Sequence, residues 1–259
     1  MNIRTEEEID LIRESSLMVA KTHAAIAGYI VPGITSIFLD KLAEEFIRDN
    51  GGTPAFKDYN GFPNTLCVSP NSQVVHGIPN KNPIKNGDIL SVDCGVLMNG
   101  YYGDSAYTYE VGDIEYELKN LLRVTKESLY KGIDQAVSGN TIGDIGFAVQ
   151  EHAENNGYSV VRELVGHGIG TNLHESPEVP NYGNKGTGVT LKEGVVIAVE
   201  PMINKGNRDI VQHKDGWTIK TSDNQPSAHF EHTIVVRKGR AEILSSFLDI
   251  ENKIYGKAS

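Results

Sequence analysis

The sequence predicts an α+β fold made of two similar halves, and three observations carry that expectation. Helical and strand-type apolar patterns follow one another in the same order twice. Short motifs recur at a nearly constant offset. Each half runs its central strand into a carboxylate. With 259 residues the chain can bury a full-sized core. Its 39% hydrophobic and 22% charged content excludes a disordered or fibrous chain.

The first helix is expected from Thr5 to about Gly28. Thr5 and Glu8 have capping-box spacing, and Ile9, Ile12, Ser16 and Val19 share a face. Pro32-Gly33 ends it. A second helix starts near Thr35 and Ser36, carries Leu39, Leu42, Ala43 and Phe46 on its apolar stripe, and stops at Asn50-Gly51-Gly52. Strands follow at Thr65 to Ser69, Ile89 to Leu97 and Tyr101 to Val111. The plan then restarts. Leu118, Leu121, Leu122, Thr125 and Leu129 mark a third helix, and a fourth runs from about Gly143 to Asn155. Strands are expected at Ser159 to Val165, Val195 to Val199 and Glu231 to Val236.

The repeat is also visible in the letters. Val31-x-Gly33-x-Thr35 returns as Val137-x-Gly139-x-Thr141, and Glu45, Asn50 and Gly51 return as Glu151, Asn156 and Gly157, all at an offset of 106. Ile84-Lys-Asn-Gly-Asp-Ile-Leu-Ser-Val-Asp93 parallels Leu191-Lys-Glu-Gly-Val-Val-Ile-Ala-Val-Glu200 at an offset of 107. No low-complexity tract separates the copies. The expectation is one domain, 1–259, of two αβ halves (about 5–112 and 113–250), with antiparallel sheet inside and helices outside.

Charge and composition exclude several function classes. The net charge of −10 argues against nonspecific binding to nucleic acid or to an anionic membrane. No run of 18 apolar residues offers a membrane span, and the acidic start lacks the apolar core of a signal peptide. Two cysteines, Cys67 and Cys94, make no disulfide framework, so reduced thiols and a cytoplasmic setting are expected.

The acids carry the chemistry. Asp93 lies in the apolar run Leu90-Ser-Val-Asp93-Cys-Gly-Val. Asn99-Gly100 is a strong two-residue hairpin signal, and a turn there pairs Met98 with Tyr101. Asp93 then faces Ala106 and Asp104 faces Gly95. The two aspartates become diagonal neighbours on one side of the hairpin, roughly 7–8 Å apart at the backbone. They are either solvated, on a wet sheet face, or they share a proton or a cation. Glu200 ends a second apolar strand and Glu231 opens a third, which favours the cation. His167, between glycines in Gly166-His167-Gly168-Ile169-Gly170, can approach such a group closely. His174 follows in Leu173-His174-Glu175, and His76 sits in Val75-His76-Gly77. The other histidines, His23, His152, His213, His229 and His232, are expected to be hydrogen-bonded surface or core residues. Four carboxylates and an imidazole suit two divalent transition ions such as Mn, Fe, Co or Zn. A pair of such ions activates water and stabilises an attacked carbonyl.

On these motifs the chain resembles the methionine aminopeptidases of type I, from about Thr5 to Ser246. The carrying residues are Asp93 with Asp104 eleven on, Gly166-His167-Gly-Ile-Gly170, Glu200-Pro201, and Glu231-His232-Thr233. The resemblance implies the pita-bread fold of two pseudo-symmetric halves. It implies the metal ligands Asp93, Asp104, His167, Glu200 and Glu231, with Asp104 and Glu231 bridging. His76 and His174 would hold the substrate amide and the developing oxyanion, and Glu200 would shuttle a proton. Tyr59, Phe62, Cys67, Leu173 and Trp217 would line the methionine pocket, and Asn71 and Ser227 a monovalent-cation site. Many relatives have Tyr at the Phe62 position and Phe at the Leu173 position, so the pocket stays apolar but changes shape. The implied substrate is the N-terminus of a nascent protein whose second residue is small. Ribosome association, a monomer, and retention of the chain's own Met1 before Asn2 are further expectations. Two alternatives remain: an enzyme cleaving Xaa-Pro bonds, and a metal-free binding module of the same fold.

Overall fold

A computed structural model describes residues 1–256. Helix α1 spans Glu6–Ala27 and is capped as its sequence demands. The Thr5 hydroxyl accepts from the Glu8 backbone N–H at 3.3 Å, and the Glu8 carboxylate accepts from the Thr5 N–H at 2.9 Å. Its face of Ile9, Ile12, Ser16 and Val19 is buried against the sheet. Helix α2, Ser36–Asp49, buries Leu39, Ala43 and Ile47, while Leu42 and Phe46 stay half-buried. Strands β1 (Thr53–Pro54), β2 (Leu66–Pro70), β3 (Gln73–Val75), β4 (Ile89–Met98) and β5 (Tyr101–Glu110) follow.

In the second half come α3 (Tyr116–Gln135) and α4 (Ile142–Asn155), then β6 (Ser159–Val160) and β7 (Gly166–Gly168). Of the strand expected from Ser159 to Val165 only Ser159–Val160 forms; the chain leaves the sheet after it, and β7 begins just beyond the expected range. Next are β8 (Glu175–Val179), β9 (Val196–Val199), β10 (Met202–Asn204), β11 (Ile210–Gln212), β12 (Ile219–Thr221) and β13 (Ser227–His229). Strands β14 (His232–Val235) and β15 (Glu242–Ile243) precede a last helix, α5 (Leu248–Tyr255).

The β4–β5 hairpin turns at Asn99-Gly100, where both residues have positive φ, 50° and 81°. That is the conformation a two-residue turn needs to match strand twist. Asp93 pairs with Ala106 and Asp104 with Gly95. Strand β4 pairs with β1, β2 and β5, all antiparallel. A five-stranded sheet, in the order β15-β14-β9-β7-β8, forms the second half's core.

The halves repeat in hydrogen bonds as well as letters. Gly33 N–H donates to Ile84 O at 2.7 Å, and Gly139 N–H donates to Leu191 O at 3.0 Å. Ile84 N–H donates to Ile34 O, and Leu191 N–H donates to Asn140 O, each at 2.8 Å. Gly33 and Gly139 have φ of 94° and 102°, which a side chain would strain.

The two sheets meet along β5 and the segment 229–233. Glu231 N–H donates to Ala106 O at 2.9 Å, the Ser105 hydroxyl donates to Glu231 O at 2.6 Å, and the Thr233 hydroxyl donates to Asp104 O at 2.7 Å. This seam brings acids from both halves together.

Candidate active site

Five elements deliver the central side chains. Asp93 comes from β4, Asp104 from β5 and His167 from β7. Glu200 comes from the residue after β9, and Glu231 from the residue before β14. All five line one cavity of about 210 Å³. Asp104, His167 and Glu231 present ligand-type atoms within 4.8 Å of one another. His167 Nε2 stands 3.5 Å from Glu200 Oε1 and 4.0 Å from Asp104 Oδ2. The imidazole is oriented by its other nitrogen, Nδ1, which lies 3.0 Å from Gly168 O.

Burial makes the cluster costly as it stands. Asp104 and Glu231 are 3% and 2% exposed. Burial first, and then the neighbouring carboxylates, push both acids well above the usual carboxylate range. Burial also raises Asp93 and Glu200. Asp93 Oδ1, Asp104 Oδ1 and Glu231 Oε1 are buried without a hydrogen-bond partner. Buried, unpartnered oxygens on neighbouring acids fit a cation site. The donor set of carboxylate oxygens and one imidazole fits divalent ions.

The rest of the cavity is apolar on one side. Phe56, Tyr59, Phe62, Cys67, Leu173 and Trp217 form that wall. Phe62 and Trp217 meet edge to face with ring centroids 5.2 Å apart. Burial pushes the Cys67 thiol well above its ordinary value, so it lines the wall as a neutral group. Trp217 is held by its loop: Asp215 Oδ1 accepts the N–H groups of Trp217 and Thr218, each at 2.9 Å.

His76 and His174 also face the cavity. His174 Nδ1 lies 2.9 Å from the Tyr59 hydroxyl, and its ring packs edge-on against His167 with centroids 4.3 Å apart. His76 has φ of 58°, an unusual conformation for a side-chain-bearing residue and one that clusters at functional positions. Burial lowers His76 to about 4 and lowers His174, so both are neutral near pH 7. The structure places Asn71 and Ser227 together, with Ser227 N–H donating to Asn71 O at 2.9 Å.

One histidine is misjudged from sequence. His229, expected to be satisfied by hydrogen bonds, is buried with Nε2 unpartnered, 3.6 Å from Glu200 Oε2. Its spacing of two from Glu231 on an extended segment was the available signal, since such residues share a face. His23 and His232 do find partners: His23 meets the Tyr109 hydroxyl and Ser105 O, and His232 meets the Ser245 hydroxyl. A larger cavity, about 630 Å³ between α1, α3 and α5, has no such set of acids and imidazoles.

Known proteins share this architecture. Methionine aminopeptidase 1 of Bacillus subtilis is 48% identical over 242 residues, covering 93% of this chain and 98% of that protein. The methionine aminopeptidase of Escherichia coli is 38% identical over 95% of this chain and 94% of its own length. The crystal structure of methionine aminopeptidase from Rickettsia prowazekii superposes with a TM-score of 0.94 at 44% identity, covering 95% of this chain and all of that one. A prolidase from Pyrococcus horikoshii shares the fold at a TM-score of 0.77, with 23% identity and 63% of its length covered. The sequence model of metallopeptidase family M24 matches residues 10–238, so this pita-bread chain belongs to that family and, within it, to the methionine aminopeptidases.

Proposed function

We propose that the protein is a metal-dependent aminopeptidase that removes the N-terminal methionine of proteins whose next residue is small. The observation that carries this reading is the juxtaposition, in one cavity, of an acid–imidazole cluster and an apolar wall. The cluster would hold divalent cations through Asp93, Asp104, His167, Glu200 and Glu231, two ions being the natural number for four carboxylates. When bound, such ions supply Lewis-acid polarisation of the scissile carbonyl and activation of water at neutral pH.

The chain's own residues do the rest. The wall of Tyr59, Phe62, Cys67, Leu173 and Trp217 takes the methionine side chain, because an unbranched thioether adapts to an irregular apolar surface. This places the substrate amine at the cluster, where only a free N-terminus fits. His174, fixed by Tyr59, donates a hydrogen bond to the carbonyl oxygen as negative charge develops on it. His76 holds the substrate amide. Glu200 takes the proton of the attacking water and delivers it to the leaving amine. Asn71 and Ser227 would hold a monovalent cation at the strand ends behind the site.

Residues 1–259 act as one catalytic domain in this reading. Among the described residues no helix is long and apolar enough to cross a membrane. With nascent N-termini as substrates, this reading has the protein working in the cytoplasm near the ribosome, as a monomer.

The test is peptide cleavage after stripping metal and adding back Mn, Fe, Co or Zn singly, with Met-Ala-Ser and Ala-Pro peptides side by side. Metal-dependent release of methionine from Met-Ala-Ser, with Ala-Pro untouched, is expected. Cleavage of Ala-Pro alone would replace the reading with a proline-specific one, and unchanged activity without metal would end it.

A further inference from the structure

Glu175 follows His174 directly, yet it takes no part in the chemistry above. Its carboxylate is 6% exposed and fully engaged. Oε1 accepts the Asn172 backbone N–H at 3.0 Å and the Thr171 hydroxyl at 3.3 Å. Oε2 accepts the Arg4 guanidinium and, at 2.8 Å, the Asn2 side-chain amide. Arg4 is buried too, its side chain 8% exposed. The segment that carries it is tied down: Arg4 N–H donates to Gly194 O at 2.9 Å, and Ile3 bridges to Val195 beside β9.

The guanidinium also packs against Gly170. A methyl group added there would overlap Arg4, so the glycine that ends the Gly166–Gly170 motif makes room for this side chain. Gly170 in turn accepts from Tyr102 N–H of β5 at 2.8 Å and donates to Asn172 O at 3.1 Å. The loop 170–175 is thus pinned at one end by β5 and at the other by Arg4. Between the pins stand Leu173 and His174, both lining the cavity.

We infer that Arg4 and Glu175 are positioning residues, and that their buried ion pair sets where His174 and Leu173 stand relative to the substrate. The inference rests on the aminopeptidase reading for its kinetic consequences. Removing one member of a buried pair leaves an uncompensated charge that the loop must move to solvate. A displacement of the order of 1 Å at a catalytic group is enough to slow the reaction substantially. Loss of His174's alignment lowers kcat, whereas loss of Leu173's place raises KM and weakens the preference for methionine over shorter apolar residues.

The experiment uses full-length, metal-loaded protein carrying Arg4→Ala, Arg4→Lys or Glu175→Gln. Three quantities are measured: kcat and KM on Met-Ala-Ser, metal content, and amide hydrogen exchange across the chain. Arg4→Ala should lower kcat on the order of tenfold to a hundredfold with metal content unchanged. Exchange should quicken at residues 171–176 and stay as in the wild type in α3 and β9. Arg4→Lys should restore most of kcat, because an ammonium can still reach Oε2. If Arg4→Ala does not fold, Glu175→Gln carries the test and should move kcat and exchange in the same direction, less far. Unchanged kcat, or a loss that follows metal loss or exchange rising throughout the molecule, overturns the proposal. A wild type that leaves Met-Ala-Ser intact would sink the aminopeptidase reading instead, and the exchange pattern alone would then decide whether Arg4 fixes the loop.

Discussion

Asp104 and Glu231 are the deepest acids of the cavity, each with a buried oxygen that finds no partner in the protein. In the proposed bridging role each carboxylate would offset charge on two cations, which a neutral amide cannot. Asp104→Asn or Glu231→Gln should therefore nearly abolish peptide cleavage, and metal analysis of each variant should show reduced content. Full activity in either one would remove it from the ligand set. His174 stands apart from that logic, since its Nδ1 faces the Tyr59 hydroxyl and its ring only packs against His167. His174→Ala should lower kcat by on the order of 10²–10³, the usual cost of one oxyanion donor, while metal content stays normal. Loss of a metal ion in that variant would make His174 a ligand instead. His76, with a backbone φ of 58°, lines the cavity, and in the proposed binding mode it would crowd the residue after methionine. Met-Ala peptides should be cleaved about tenfold faster than Met-Asn peptides, or more, because overpacking costs about 1–3 kcal/mol. Equal rates would sink the crowding argument without touching the metal chemistry.

The loop between β11 and β12 shows how an element supports the pocket. Asp215 accepts from Trp217 N–H, Thr218 N–H and the Thr218 hydroxyl, which fixes the indole against Phe62. Desolvation alone would raise the Asp215 pKa, but the Thr218 hydroxyl and these two N–H groups outweigh it and hold it down at about 2. A depressed carboxylate contributes stability that is fully present above its unfolded value of about 3.9 and is lost as pH falls toward 2. Asp215 should therefore keep its charge, and its hydrogen bonds to Trp217 and Thr218, between pH 5 and 8. Asp215→Ala should raise KM for methionine peptides several-fold with kcat little changed, and the shift should be the same across that pH range. A KM effect confined to acidic pH would overturn this reading, since Asp215 keeps its charge across the whole range. This loop also marks where the sequence stops being legible. The hairpin of β4 and β5 could be registered residue by residue, because ten-residue strands flank an Asn-Gly turn whose geometry is specified. Strands β10 to β13 are three residues each, too short for any period to declare itself, and their pairing depends on distant partners such as β3 and β6. Helix α5 is eight residues and buries only Ile250, so its apolar stripe is nearly silent. The acids were legible because a charge inside an apolar strand is anomalous. His229 was not, because a histidine in a strand is ordinary until Glu200 is seen beside it.

At the scale of the molecule, the cluster is divided between the halves: Asp93 and Asp104 belong to the first, and His167, Glu200 and Glu231 to the second. Packing along the β5 seam brings like charges together, so folding without a cation works against burial and mutual repulsion at once. A ligand that binds only the folded chain stabilises it by mass action, by about 2.7 kcal/mol at a hundred times its dissociation constant. For a protein of this size that corresponds to a rise of about 5–10 °C in melting temperature. The same reasoning gives the sign for a variant that removes one charge. Asp104→Asn should melt higher than the wild type when both are stripped with chelator, because a buried repulsion has been relieved. When a divalent ion is added back, the order should reverse, because only the wild type gains the full binding energy across the seam. Differential scanning calorimetry of both proteins, with and without metal, reads all four values. A stripped Asp104→Asn that melts below the stripped wild type would mean that the aspartate is stabilised by the protein alone, and that the architecture is not held in tension for the sake of the cations it binds.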